Sequence, residues 1–291
     1  MADKEISLIN INLNALSKPA CKLIDAVQSG IGAIYEPTRI RRKAKAEADA
    51  LLILAHARAQ EKEIAFRAEE RLAHLELRRQ KNIDTIVKGA IEALPESADE
   101  KPVDEDWMVQ FFNSCQDIGD KEMQSLWSKL LAGEVTRPGS YSLRTLHLVK
   151  TLRKEDAQLF SRYCRYVWAW DMEGTIFYGV ARTKLLVEFL MKVGLRPTVR
   201  NHLQALGLIS FSSDLGIPLN KDNPVTASYF GQRFIFKSTS DTPMGFPVEN
   251  LTDIGTELFP ISGAERDEEY PGYVVESLLK ERQIEVQPIE A

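Results

Sequence analysis

Histidine is the side chain around which acid–base or metal chemistry near neutral pH is most readily built, and this chain holds four: His56, His74, His147 and His202. Arg67 with His74, and Arg196 with His202, fit the loose Arg-x(4–6)-His spacing of some helical ribonucleases. With nineteen arginines and four histidines, about one such match arises by chance, so neither pair singles out a site. His56 and His74 stand eighteen residues apart, five helical turns, and so face the same way on a helix. No carboxylate spacing completes a metal-ligand set beside them. Cys115 and His147 are the types of a nucleophile and its base, but nothing local joins them, and two packed residues are the simpler reading. HExxH, CxxC, P-loop and GxGxxG patterns are absent. The expectation is a protein without catalytic residues, metal or cofactor, working by binding.

The residues suited to nucleic acid lie further on. Pro197 opens a helix running to Leu206, and Arg196, Thr198, Arg200, Asn201 and His202 near its start are types that contact phosphates and bases. Lys184, Arg233 and Lys237 add charge. From Arg182 to Lys237 there are eight Lys and Arg against three Asp and Glu, a net +5 in a chain whose formal charge is −5. Such modules also serve as protein contacts, so DNA and a protein partner both stand as readings.

These residues need elements to position them. Asp171 to Val180 suggests a turn and a short β-segment. Pro197 to Leu206 follows a helix from Thr183 to Val193 and precedes a strand at Leu208, Ile209 and Phe211. A polar loop, a second strand at Arg233 to Lys237 and a short helix from Leu251-Thr252 through Leu258 come next. That order is the one found in winged-helix modules. Upstream, helices are expected through Trp107, Phe111 and Phe112, through Met123 to Leu131, through Leu143 to Leu152, and through Ala157 to Val167. Asp120 is placed as an N-cap, Gly133 as a C-terminal stop and Arg137-Pro138-Gly139-Ser140 as a turn. Together they make a compact helical domain with an aromatic core.

The most distinctive stretch is Thr38 to about Leu94, without proline and rich in helix formers. One unbroken helix here would be roughly 85 Å long. Ile40, Ala44, Ala48, Leu51, Leu52, Ala55 and Ala59 make one stripe, and Leu72, Leu75, Ile83, Ile86, Val87, Ala90, Ile91 and Leu94 continue the apolar signal. So long a stripe must pack on another long helix, from this chain or a second subunit. Arg39 to Lys81 holds twelve basic and seven acidic residues, whereas Glu92–Glu134 and Glu249–Glu290 each hold eleven acidic and three basic. Complementarity between these segments would set register.

Ahead of it, Ser17 as N-cap and Pro19 in the first turn begin a helix with Leu23, Ile24, Val27 and Ile31 on one face. This is read as a helix packed on a core. The alternative is a helix lying on an anionic membrane surface, with Arg39, Arg41, Arg42 and Lys43 beside it. Three widely spaced cysteines, Cys21, Cys115 and Cys164, fit a reducing compartment. The start lacks the charged and apolar regions of a signal peptide, and no apolar run approaches the ~18–20 residues of a spanning helix. A cytoplasmic protein, or one peripheral to the inner membrane, is expected.

The chain also resembles an uncharacterised family of bacterial proteins, a domain of unknown function. The resemblance rests on Leu16-Ser17-Lys18-Pro19-Ala20 through Gly30-Ile31-Gly32 to Tyr35-Glu36-Pro37, and on Ala44-Lys45-Ala46-Glu47-Ala48. A second block is Glu105-Asp106-Trp107, Phe111-Phe112, Glu122-Met123-Gln124 with Leu126-Trp127, and Leu131-Ala132-Gly133-Glu134 before Pro138-Gly139. Asp156-Ala157 with Leu159-Phe160, and Leu251-Thr252-Asp253-Ile254-Gly255 with Glu257-Leu258, complete it. The resemblance implies a shared architecture, and a link to defence against phage. It brings no functional residue with it.

The expected fold is mainly α. It divides into an amphipathic segment (1–37), a long oligomerisation helix (38–94), a linker (95–103), a compact helical domain (104–170), a winged-helix-like α/β module (171–262) and an acidic tail (263–291) with one more helix from Tyr273 to Arg282. The expected role is a self-associating scaffold, adaptor or sensor. Ala44, Ala48, Leu51, Leu52, Ala55, Ala59, Leu72 and Leu75 would form its seam, and a DNA-binding regulator is the alternative.

Overall fold

In this computed structural model the described residues are 17–27, 29, 30, 59–211, 216–240 and 244–289. The chain divides into two compact units, Met1–Thr151 and Leu152–Ala291.

The first unit is helical. A helix α1 (residues 18–27) begins as its sequence dictates, the Ala20 N–H donating to the Ser17 hydroxyl at 3.4 Å. The long helix α2 (Ala59–Ala93) has 35 residues, which makes it about 52 Å long. Then follow α3 (Glu105–Cys115), α4 (Lys121–Thr136) and α5 (Leu143–Thr151). Asp120 caps α4 by accepting from the Glu122 and Met123 amides. Gly133 does not end α4, which runs on to Thr136. Its missing side chain instead admits the Tyr141 ring, whose hydroxyl oxygen lies 2.6 Å from where a Cβ would be. The Arg137–Ser140 turn is held by the buried Glu134 carboxylate, which accepts from the Gly139 amide at 2.6 Å and the Tyr141 amide at 3.0 Å. Trp107, Phe111, Phe112 and Trp127 form the aromatic centre, with Phe111 edge-on to Trp127 at 5.3 Å.

The second unit overturns the mainly helical expectation. It opens with α6 (Lys154–Cys164), which the sequence grouped with the earlier helices, and is then organised around an eight-stranded antiparallel sheet. Its strands are β1 (Trp168–Met172), β2 (Thr175–Ala181), β3 (Ile209–Ser210), β4 (Gly216–Leu219), β5 (Val225–Tyr229), β6 (Gln232–Ser238), β7 (Met244–Leu251) and β8 (Ile284–Pro288). They lie in the order β3-β7-β2-β1-β5-β6-β8, with β4 also on β7. The two strands anticipated around Leu208 and Arg233 are not neighbours. β3 pairs with β7, while β6 pairs with β5 and β8. The physical reason is that isolated short strands carry little pattern, and Pro247 within β7 argues against a central strand.

Helices α7 (Lys184–Lys192) and α8 (Pro197–Ala205) follow β2, and α9 (Asp253–Leu258) and a 3-10 turn (Phe259–Ile261) follow β7. Thr183 and Thr252 cap α7 and α9 through their hydroxyls. The segment after Gly263, expected as an acidic tail with one more helix from Tyr273 to Arg282, holds α10 (Tyr270–Arg282) and also the edge strand β8. One sheet face packs Trp168, Trp170, Tyr229, Phe234 and Phe236 against Tyr270 of α10 and its neighbours, all at or below 4 % exposure. The other face is covered at β7 by α6 and α8, while Arg233 and Lys237 of β6 and Glu285 and Gln287 of β8 are exposed on it.

Candidate functional site

The candidate site is the amino-terminal half of α2. Its carboxyl-terminal half belongs to the first unit's core, with Ile83, Ile86, Val87 and Ala90 buried against its other helices. Contact with α4 is close: the Ser128 hydroxyl donates to the Ile86 carbonyl at 2.9 Å, and Gly89 has no room for a side chain beside it. Asn82 donates to the Gln116 carbonyl and accepts from Gln124. Arg79 grips Asp117 at 2.8 Å through both Nε and Nη2.

These polar residues mark the end of the packing, not the end of the apolar pattern. Ile64, Ala68, Leu72 and Leu75 recur three and four residues apart and lead, through Arg79 and Asn82, onto the face that Ile86 and Ala90 bury. Ile64 is 59 % exposed and Leu72 41 %, with Leu75 half-buried. Phe66 and Leu77, on another side of the helix, are 59 % and 55 % exposed. A helix of 35 residues outreaches α4, which has 16, by about 28 Å.

The family described as "Protein of unknown function (DUF2806)" matches residues 66–275, well over half the chain. The chain belongs to this family. No curated protein and no solved structure matches it. The DUF2806 segment begins at Phe66, on the exposed part of α2, and runs into α10. Of the residues expected to form the seam, Leu72 and Leu75 lie inside it. Ala59 opens α2, and Ala44, Ala48, Leu51, Leu52 and Ala55 lie outside the described residues.

Within the DUF2806 segment, α8 does not present its expected cations freely. Arg200 points inward and pairs with Glu249 of β7, both side chains nearly inaccessible. Arg182, at the end of β2, adds a longer contact to the same carboxylate at 3.7 Å, and the Tyr163 hydroxyl donates to it at 3.4 Å. Burial pushes the Glu249 carboxyl up, against the pull of Arg200 and Arg182. His202 shares a hydrogen bond of 2.7 Å with Asp156 of α6, which Arg153 also holds at 3.2 Å. Burial opposes charge on Asp156, but the bonds from His202 and Arg153 outweigh it and hold the carboxyl below its usual range. Lys184, Arg196, Thr198 and Asn201 are exposed, and Arg233 and Lys237 stand apart from them on β6. Glu249 is the residue that sequence reasoning missed, counted there as part of an acidic segment. Its signal was the alternation of β7, hidden by Pro247.

The remaining candidates scatter. Leu23, Ile24 and Val27 are buried in the first unit, while Ile31, Arg39, Arg41, Arg42 and Lys43 lie outside the described residues. Cys115 is buried, burial raising its thiol, and His147 is exposed. Arg67 and His74 are both exposed, Arg67 within 3.9 Å of Glu63. His56 lies outside the described residues. No helix among the described residues is long and apolar enough to cross a membrane.

Proposed function

We propose that this protein acts by binding rather than catalysis, as a self-associating scaffold or adaptor, and that the exposed half of α2 receives a second copy of the chain. The observation that carries this is the continuity of Ile64, Ala68, Leu72 and Leu75 with a face already buried further along the same helix. Leaving that much apolar surface in water along a rod is unfavourable at about 25 cal/mol per Å², and a partner of equal length covers it best. Charge favours an antiparallel pair of identical helices. Residues 61–70 hold four acids and two bases, and residues 71–81 four bases and one acid, so a two-fold arrangement sets opposite signs against each other.

Ile64→Glu with Leu72→Glu tests the reading. Both positions are exposed, so the fold should tolerate the change. The expected result is a drop in native mass at unchanged far-UV circular dichroism. A wild type and a double variant of identical mass would end the proposal.

A further inference from the structure

The turn between α7 and α8 (residues 193–196) is fixed from within. Gly194 takes a φ of 88°, a conformation open to glycine without strain. Leu195 is fully buried, and its amide donates to the Leu190 carbonyl at 2.8 Å. What the two helices show to solvent is therefore a defined surface, and it has two properties.

The first is the exposed side of α8. Arg200 and Leu203 are its buried side, whereas Thr198, Asn201 and Gln204 recur three residues apart and are exposed. All three side chains both donate and accept, and among the described residues none of them has a partner. Asn and Gln set an acceptor beside a donor, the pair that matches the edge of adenine in the major groove. The exposed residues of α8 include no large apolar side chain, which the centre of a protein interface would require.

The second is charge. Residues 182–206 hold five Lys and Arg and one acid, Glu188. Arg182 and Arg200 are taken up by Glu249, and Arg233 and Lys237 lie apart on β6. Lys192 and Arg196 remain, both exposed, two residues to either side of Gly194. The fold brings them a cation from α6 that spacing does not reveal. A Cβ on Gly194 would lie 3.4 Å from the Nη1 of Arg162, which is also exposed. Among the described residues Arg162, Lys192 and Arg196 have no ion-pair partner.

Cations beside a polar helix face without acids complement a polyanion that displays base edges between its phosphates. Single strands are held by stacking on exposed rings, and the one aromatic of α7, α8 and their turn, Phe189, is buried. A helix with its side chains is about 10–12 Å across, and the major groove of a duplex is about 12 Å wide. We propose that the second unit binds duplex DNA, with Asn201 and Gln204 at base edges in the major groove and Arg162, Lys192 and Arg196 on phosphates. No residue of α2 takes part, so this surface and self-association stand or fall separately.

The test follows the full chain by fluorescence anisotropy with a labelled mixed-sequence duplex of about three helical turns, and with its single strand, from about 50 to about 200 mM salt. The expected result is saturable duplex binding that weakens about 40-fold across that range, as three phosphate contacts require. Arg162→Ala with Arg196→Ala should weaken it by about tenfold or more at the lower salt and leave about a third of the salt slope. Lys101→Ala with Lys150→Ala, which removes two exposed cations of the first unit, should change neither. Asn201→Ala with Gln204→Ala should keep the affinity for mixed sequence but erase the preference that the wild type shows in selection from a randomised duplex pool. All six positions are exposed, so melting temperatures should not move. No duplex binding at the lower salt would overturn the proposal, as would a single strand bound as tightly as the duplex. So would full binding by the Arg162 and Arg196 variant, or a selection in which the wild type and the Asn201 and Gln204 variant do not differ.

Discussion

Arg200 of α8 and Glu249 of β7 form an ion pair inside the second unit, their side chains 8 % and 1 % exposed. A pair so enclosed contributes little net stability compared with a well-packed apolar pair, yet removing one partner strands the other charge. Arg200→Met or Glu249→Leu alone should each cost about 3–5 kcal/mol, whereas the double substitution should recover most of that loss. Urea unfolding of the four proteins measures the coupling. If the double variant's loss equals the sum of the single losses, the pair is not the unit described.

Asp156 makes stability depend on acidity. Folding holds its pKa below the ordinary 3.8. Its contribution is therefore complete above that value and disappears as the pH falls through the lower, folded-state value. Asp156→Asn should lower the melting temperature at pH 7, and its gap from wild type should narrow towards about pH 3. A gap constant with pH would show that Asp156 acts through its shape rather than its charge.

The seam between α2 and α4 can be probed at Gly89. A Cβ there would sit 2.6 Å from the Ser128 Oγ, which is itself fixed at 2.9 Å to both the Ile86 and Gln124 carbonyls. Gly89→Ala should thus destabilise by about 1–2 kcal/mol, overpacking outweighing the gain in helix propensity. Gly119→Ala, with no atom of the described residues within 4 Å of the added carbon, should have little effect in the same denaturation assay.

Elements that announce themselves locally were legible in the sequence. Ser17, Asp120, Thr183 and Thr252 carry hydroxyl or carboxylate caps one residue before their helices, and Pro197 sits in the first turn of α8. Strand segments near residues 171–180, Leu208 and Arg233 were legible, but the sheet that joins them was not, because its strands are defined by partners far along the chain. Trp168 and Trp170 fall at the end of the stretch read as a helical domain but share one buried face of β1. Ile284 and Val286 belong to an apparently polar end yet are buried where β8 pairs with β6. Arg200 looked like a free cation because Glu249, which takes it up, is 49 residues away. The exposed stripe of α2 was visible as spacing. Where its burial stops, between Leu75 and Ile83, depends on α4 and could be seen only in three dimensions.

The most direct measurement is the native mass of the full chain by light scattering from about 1 to about 100 µM. Exposed Ile64, Phe66, Leu72 and Leu77 lead to the expectation of at least twice 32.9 kDa, falling on dilution. A mass of 32.9 kDa throughout that range would contradict it.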